Sequence, residues 1–107
     1  MDAVSAISGS GPAYFFFLME QLVQVAQELG LPKQKALTLA IQTAEGAAQM
    51  ARVQPDPAAL RAAVTSKGRT TEAAFRFFEK KNLGENIRAG VRAAARRAKE
   101  ISHACSS

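Results

Sequence analysis

Apolar residues recur along this chain at helical spacing, and no stretch alternates with period two over a strand's length. Glycine, proline and capping residues divide the pattern into five helices. Ser8-Gly9-Ser10-Gly11-Pro12 leads into the first, where Pro12 suits an opening turn and Ser10 or Gly11 serves as its cap. That helix is predicted to reach Leu29, with Gly30 placed to stop it in a left-handed conformation and Pro32 just beyond. Pro32 opens a second helix, to about residue 51. Asp56 caps and Pro57 begins a short third helix over 57–64, and residues 65–70 read as a loop. A fourth helix is predicted over 71–81. Asn82 then caps a last one, with Glu85 completing a capping box. It is expected to reach about Ile101, with the remaining residues frayed. The expected fold class is all-α, a single five-helix domain over residues 1–107 with short links.

The first helix carries apolar side chains on more than one face: Tyr14, Phe15, Phe16, Phe17, Leu18, Met19, Leu22, Val23 and Val25 leave only a narrow polar strip. A surface helix shows one apolar stripe. This one is either central to a monomeric bundle or part of an extensive subunit interface, and the load favours the interface. The second helix offers small residues, Ala36, Ala40, Ala44, Gly46 and Ala47, that let helices approach closely. A glycine inside a helix costs about 1 kcal/mol against alanine, so close packing at Gly46 is a compensation to look for; the other reading is a tolerated glycine with no role.

The chain has 107 residues, of which 48% are hydrophobic and 21% charged, so it reads as globular and not disordered. Its 22 alanines favour helix. One cysteine, Cys105, excludes an internal disulfide framework, and one histidine, His103, excludes a multi-histidine metal site; neither is given a role. The longest apolar run, from Ala13 to Met19, is too short to span a bilayer, and no basic-then-apolar leader follows Met1, so no membrane partner is expected and the cytoplasm is the expected location. The net charge of +5 is uneven: residues 1–60 hold three basic and five acidic side chains, residues 61–107 eleven and four. A basic half is either a solvated helix face or an anion-binding surface. Arg88, Arg92 and Arg96 share one face of the last helix, with Ile87, Val91, Ala94, Ala98 and Ile101 mostly on another. No Asn or Gln lies between Arg88 and Lys99 to read base edges, so nucleic acid is not the expected partner.

Two segments have the residue types of an anion cradle. In Ser8–Pro12, two glycines let a ligand approach backbone, and a helix start offers N–H groups without internal partners. The plainer reading is a capped helix with a lead-in. Thr65-Ser66-Lys67-Gly68-Arg69-Thr70-Thr71 is richer, with hydroxyls, two cations and a glycine opening onto a helix. Its plainer reading is a solvated link with Thr70 as N-cap. No Ser/His/Asp or Cys/His set is available, so any catalysis does without a protein nucleophile. Hydride transfer meets that condition, because the cofactor carries the chemistry.

Residues 2–14, Asp2-Ala3-Val4-Ser5-Ala6-Ile7-Ser8-Gly9-Ser10-Gly11-Pro12-Ala13-Tyr14, resemble the segment that opens the C-terminal half of pyrroline-5-carboxylate reductases. Leu29-Gly30-Leu31-Pro32 and Gln42-Thr43-Ala44-Glu45-Gly46-Ala47-Ala48 match the same half in order. Val64-Thr65-Ser66-Lys67-Gly68-Arg69-Thr70-Thr71 resembles its signature Val-Thr-Ser-Pro-Gly-Gly-Thr-Thr. The resemblance covers about residues 2–101. It implies an enzyme that reduces 1-pyrroline-5-carboxylate to L-proline with NADP or NAD in its reduced form, the cofactor being held mainly by an N-terminal Rossmann domain. The helical half implied resembles the 6-phosphogluconate dehydrogenase C-terminal fold, intertwined as a homodimer; some members stack dimers into larger rings. With no Gly-rich strand–turn–helix in the chain, it reads as an excised domain or a proteolytic remnant, inactive alone.

The implied roles are these. Ser66 and the backbone N–H groups of Gly68, Arg69 and Thr70 cradle the carboxylate of the small-molecule substrate. Thr71 places its hydroxyl near the ring nitrogen as the catalytic group. Gly9, Ser10 and Gly11 line the pocket, and no metal is called for. Lys67 stands where proline is usual, and Arg69 where the signature has its second glycine. If that glycine needs positive φ, Arg69 is strained; Arg69 otherwise fills substrate space or adds charge for the carboxylate. The alternative to the reductase reading is a basic helical nucleic-acid-binding or protein-interaction module without catalysis.

Overall fold

The computed structural model describes residues 2–106, with the side chains of residues 3–101. Its elements are α1 (Asp2–Val4), a π-helical turn (Ser5–Gly9), α2 (Gly11–Glu28), α3 (Lys33–Val53), α4 (Pro57–Lys67), α5 (Arg69–Lys80) and α6 (Leu83–Ser106). The described residues contain no strand, and α2 to α6 are the five long helices of the all-α class. α6 continues past the expected end at Ile101, and His103 and Cys105 lie outside the described side chains.

The helix ends follow local chemistry. Gly30 has φ +102°, donates to the Gln27 carbonyl and lets Leu31 N–H reach the Ala26 carbonyl, so two carbonyls of the last turn of α2 are satisfied. The Asp56 carboxylate accepts from Ala59 N–H at 3.2 Å, with Pro57 in the first turn of α4. Asn82 stands just before α6 as expected, and its carbonyl accepts from Asn86 N–H at 3.0 Å. It takes φ +57°, a conformation asparagine tolerates, and donates its N–H to the Glu79 carbonyl, so it ends α5. The Glu85 carboxylate does not close a capping box; both its oxygens are held by arginines.

The chain forms two compact units, Phe16–Ala74 in one and Met1–Phe15 with Phe75–Ser107 in the other. In the first, Val23 of α2 and Ala36 and Ala40 of α3 make the buried core, with Ala26 packed on it. Ala36 and Ala40 stand one turn apart on the same face of α3, which meets Val23. The large side chains of α2 are left bare: Phe16, Phe17 and Leu18 are 60%, 62% and 54% exposed. A Cβ at Gly46 would meet nothing within 4 Å, so close packing within this chain does not account for that glycine.

In the second unit α6 lies against α1 and the π-helical turn, where Ala6 is 2% exposed. Val91, Ala94, Ala95 and Ala98 form the half-buried stripe of α6 at helical spacing, whereas Ile87 and Ile101, expected on that side, are exposed. Phe75 and Phe78 stack edge to face, centroids 5.4 Å apart.

Candidate functional site

Helix propensity is modest for serine and threonine because their hydroxyls compete for backbone groups. Here the competition is settled inside the helix. Thr65 Oγ1 donates to the Arg61 carbonyl at 2.7 Å and Ser66 Oγ to the Ala63 carbonyl at 3.2 Å. The predicted loop over 65–70 is therefore a correction: α4 runs through Lys67, Gly68 alone interrupts, and α5 begins at Arg69.

Gly68 adopts an extended backbone, φ −131° and ψ 117°. Its N–H, expected among the free donors, goes to the Thr65 carbonyl at 3.2 Å, and its carbonyl accepts from Glu72 N–H at 3.1 Å. Arg69, Thr70 and Thr71 then occupy the first turn of α5, where N–H groups have no carbonyl behind them and carry partial positive charge. A Cβ on Gly68 would come within 3.3 Å of Thr71 Oγ1. The half-buried Thr71 hydroxyl thus packs against the one residue of the junction that has no side chain. Arg69 is free of the strain considered for it: Asn82 is the single non-glycine with positive φ among the described residues.

The junction brings Ser66, Gly68, Arg69, Thr70 and Thr71 into one stretch of chain. The hydroxyls of Thr70 and Thr71, that of Ser66 once turned from the Ala63 carbonyl, the N–H groups of a helix start and the flanking cations Lys67 and Arg69 can take up a small carboxylate there.

Gly9, Ser10 and Gly11 belong to the other unit, and their segment is not a lead-in of free donors. The backbone stays helical from Asp2 to Gly9, and Ser10 N–H reaches back five residues to the Ser5 carbonyl at 3.0 Å. Ala13 N–H goes to the Ser10 carbonyl, also at 3.0 Å. The Ser8 hydroxyl donates to the Val4 carbonyl. Tyr14, read from sequence only as part of an apolar face, donates its hydroxyl to the Ala6 carbonyl at 2.9 Å. The signal for this was Pro12, which removes a donor four residues after Ser8.

On α6 the arginine stripe is partly neutralised. Glu85 accepts from Arg88 Nη2 at 3.0 Å and from Arg92 Nη2 at 2.6 Å, and Arg97 pairs with Glu100 at 3.2 Å. The hydrogen bond from Arg92, then that from Arg88, holds the Glu85 carboxyl below its ordinary pKa. This is a solvated, ion-paired face.

Among the described residues no three His, Cys, Asp or Glu side chains gather into a metal-holding group, and no helix is long and apolar enough to cross a membrane. With no strand present, the described residues form no strand–turn–helix cradle for a dinucleotide.

Comparison with known proteins gives one answer. The family described as "Pyrroline-5-carboxylate reductase dimerisation" matches residues 1–101. The pyrroline-5-carboxylate reductase of Pseudomonas aeruginosa is 45% identical over 102 residues, covering 94% of this chain and 37% of that protein. The Arabidopsis thaliana enzyme is 43% identical over 102 residues, covering 94% of this chain and 37% of that protein.

 

In both cases, then, the match spans 94% of this chain and 37% of the relative. Among solved structures, a Coxiella burnetii pyrroline-5-carboxylate reductase superposes with a TM-score of 0.85 at 46% identity, covering 94% of this chain and 37% of that one. A Plasmodium falciparum pyrroline carboxylate reductase with NADP bound gives 0.87 at 29% identity, covering 94% and 39%. The chain therefore spans well under half the length of the relatives it matches.

Proposed function

This chain belongs to the pyrroline-5-carboxylate reductase dimerisation family, and from that premise we propose that it is the pairing and substrate-positioning part of an enzyme that reduces 1-pyrroline-5-carboxylate to L-proline. The observation that carries the reading is the α4–α5 junction, with Ser66, Gly68 and Thr71 in the order of the signature and an open helix start between them. The ring imine is already electrophilic, so orientation supplies much of what remains to be done. The N–H groups of Arg69 and Thr70, with the Ser66 hydroxyl, hold the carboxylate, and Lys67 and Arg69 add charge at the rim. In this reading the Thr71 hydroxyl assists protonation of the ring nitrogen as the C=N bond becomes C–N. A reduced nicotinamide dinucleotide, held mainly by the part of the relatives that this chain does not span, supplies the hydride.

The partner is a second copy of the chain. Exposed phenylalanines and leucines on α2 are what an obligate interface covers. The cytoplasm is the proposed location, and stacking of dimers into rings is a further step of the same reading. The nucleic-acid alternative has less support, since Glu85 already holds Arg88 and Arg92.

The test is a chimera in which this chain replaces the matching segment of the Pseudomonas aeruginosa relative. It is expected to sediment as a dimer or a multiple of one, and to form proline from 1-pyrroline-5-carboxylate with NADPH or NADH. A dimeric chimera that binds the dinucleotide and makes no proline overturns the site assignment; a monomer at micromolar concentration overturns the pairing.

A further inference from the structure

The turn before α2 has a cause in the sequence. Pro12 has no N–H, and in an α-helix its ring would press on the carbonyl four residues back, that of Ser8. One extra residue in the preceding turn relieves this, and Ser10 N–H accordingly bonds to Ser5, five residues back, in place of Ala6. Ala6 is then left in an unusual position. Its residue is almost wholly covered, in the unit where α1 and the turn pack on α6, and its carbonyl has lost the Ser10 donor of a regular helix. The Tyr14 hydroxyl, half-buried, supplies a donor at 2.9 Å from two turns further on.

We propose that Tyr14 is a positioning residue: by holding the Ala6 carbonyl it fixes the π-helical turn, and with it the backbone register in which Gly9, Ser10 and Gly11 are presented. The role requires the hydroxyl and not merely the ring, since nothing else on a phenylalanine reaches a carbonyl. Its bearing on imine binding rests on the function proposed above; its hold on the turn does not.

The experiment has two arms, both with Tyr14→Phe. In this chain, amide hydrogen exchange at Gly9, Ser10 and Gly11 is expected to speed up about fivefold, the factor of one lost hydrogen bond, while Val23 and Ala40 in the other unit keep their rates. No acceleration overturns the proposal, and so does an equal acceleration at Val23 and Ala40, which marks a general loss of stability. In the chimera, KM for the imino acid is expected to rise about fivefold with kcat within about twofold of the unsubstituted enzyme. A loosened turn with unchanged KM overturns the positioning role. An inactive unsubstituted chimera counts against the function proposed above instead, and the exchange arm still decides whether Tyr14 holds the turn.

Discussion

Residues 8–12 and residues 65–71 are made from the same glycines and hydroxyls, and the backbone uses them in opposite ways. In the first segment Ser10, between the π-helical turn and α2, keeps helical backbone angles: its N–H is donated to Ser5 and its carbonyl accepts from Ala13 N–H. In the second, Gly68 turns extended for one residue, and the three N–H groups that follow it open a new helix without carbonyls behind them. What separates the two is not composition but whether the chain breaks. Proline at position 12 is accommodated by widening a turn, whereas glycine at position 68 ends one helix and starts another. An anion site needs unspent donors, and the second segment offers the longer run of them in its backbone.

Substitutions that should act on one segment and not the other test this contrast. The largest effect is expected at Thr71. In the chimera, Thr71→Ala should lower kcat about 100-fold, the low end for loss of a proton-transfer group, while Ser66→Ala should raise KM about fivefold with kcat little changed. Steady-state kinetics separate the two. Equal and small effects from both would remove the junction from the chemistry.

The glycines sharpen the comparison at smaller amplitude. A Cβ at position 68 approaches Thr71 Oγ1 to 3.3 Å, so Gly68→Ala must displace that hydroxyl by a few tenths of an ångström. A loss of about tenfold in kcat is expected from such a misplacement. At Gly9 a Cβ meets nothing within 4 Å and φ is ordinary. Gly9→Ala should therefore stabilise the helical turn by about 0.5 kcal/mol through propensity, seen as a higher Tm. If Gly9 also lines the pocket as the family resemblance implies, the same variant binds substrate more weakly while melting later.

How much of this could be read from residues alone depends on how local the cause is. Gly30 and Asp56 were legible because a left-handed stop and a carboxylate cap are decided within four residues. The all-round apolar load of α2 was legible too: its phenylalanines stay exposed. Residues 65–67 were not. Threonine and serine suit loops and helices alike, and only the bonds back to Arg61 and Ala63 keep them helical. The π-helical turn was hidden for a related reason, since a bond to residue five back and one to residue four back leave the same apolar pattern. Glu85 shows the limit of a motif: a carboxylate three residues after Asn82 fits a capping box, but two arginines on its own helix reach it at 3.0 and 2.6 Å.

That clamp sets the smallest effect, on the helix that packs against the first segment. Hydrogen bonds from Arg92 and then Arg88 lower the Glu85 pKa from its ordinary 4.5. A carboxyl with a depressed folded-state pKa adds stability above its unfolded value and loses it as pH falls through the folded one. The Tm difference between the wild type and Glu85→Gln should thus be constant near neutrality and vanish once pH drops well below 4.5. It should also shrink with salt, because all three side chains are more than half exposed and water and ions screen the pair. A difference that persisted in acid would mean that Glu85 supports α6 through packing and not through charge. The turn that α6 covers would then depend on that helix more firmly than its exposed ion pairs suggest.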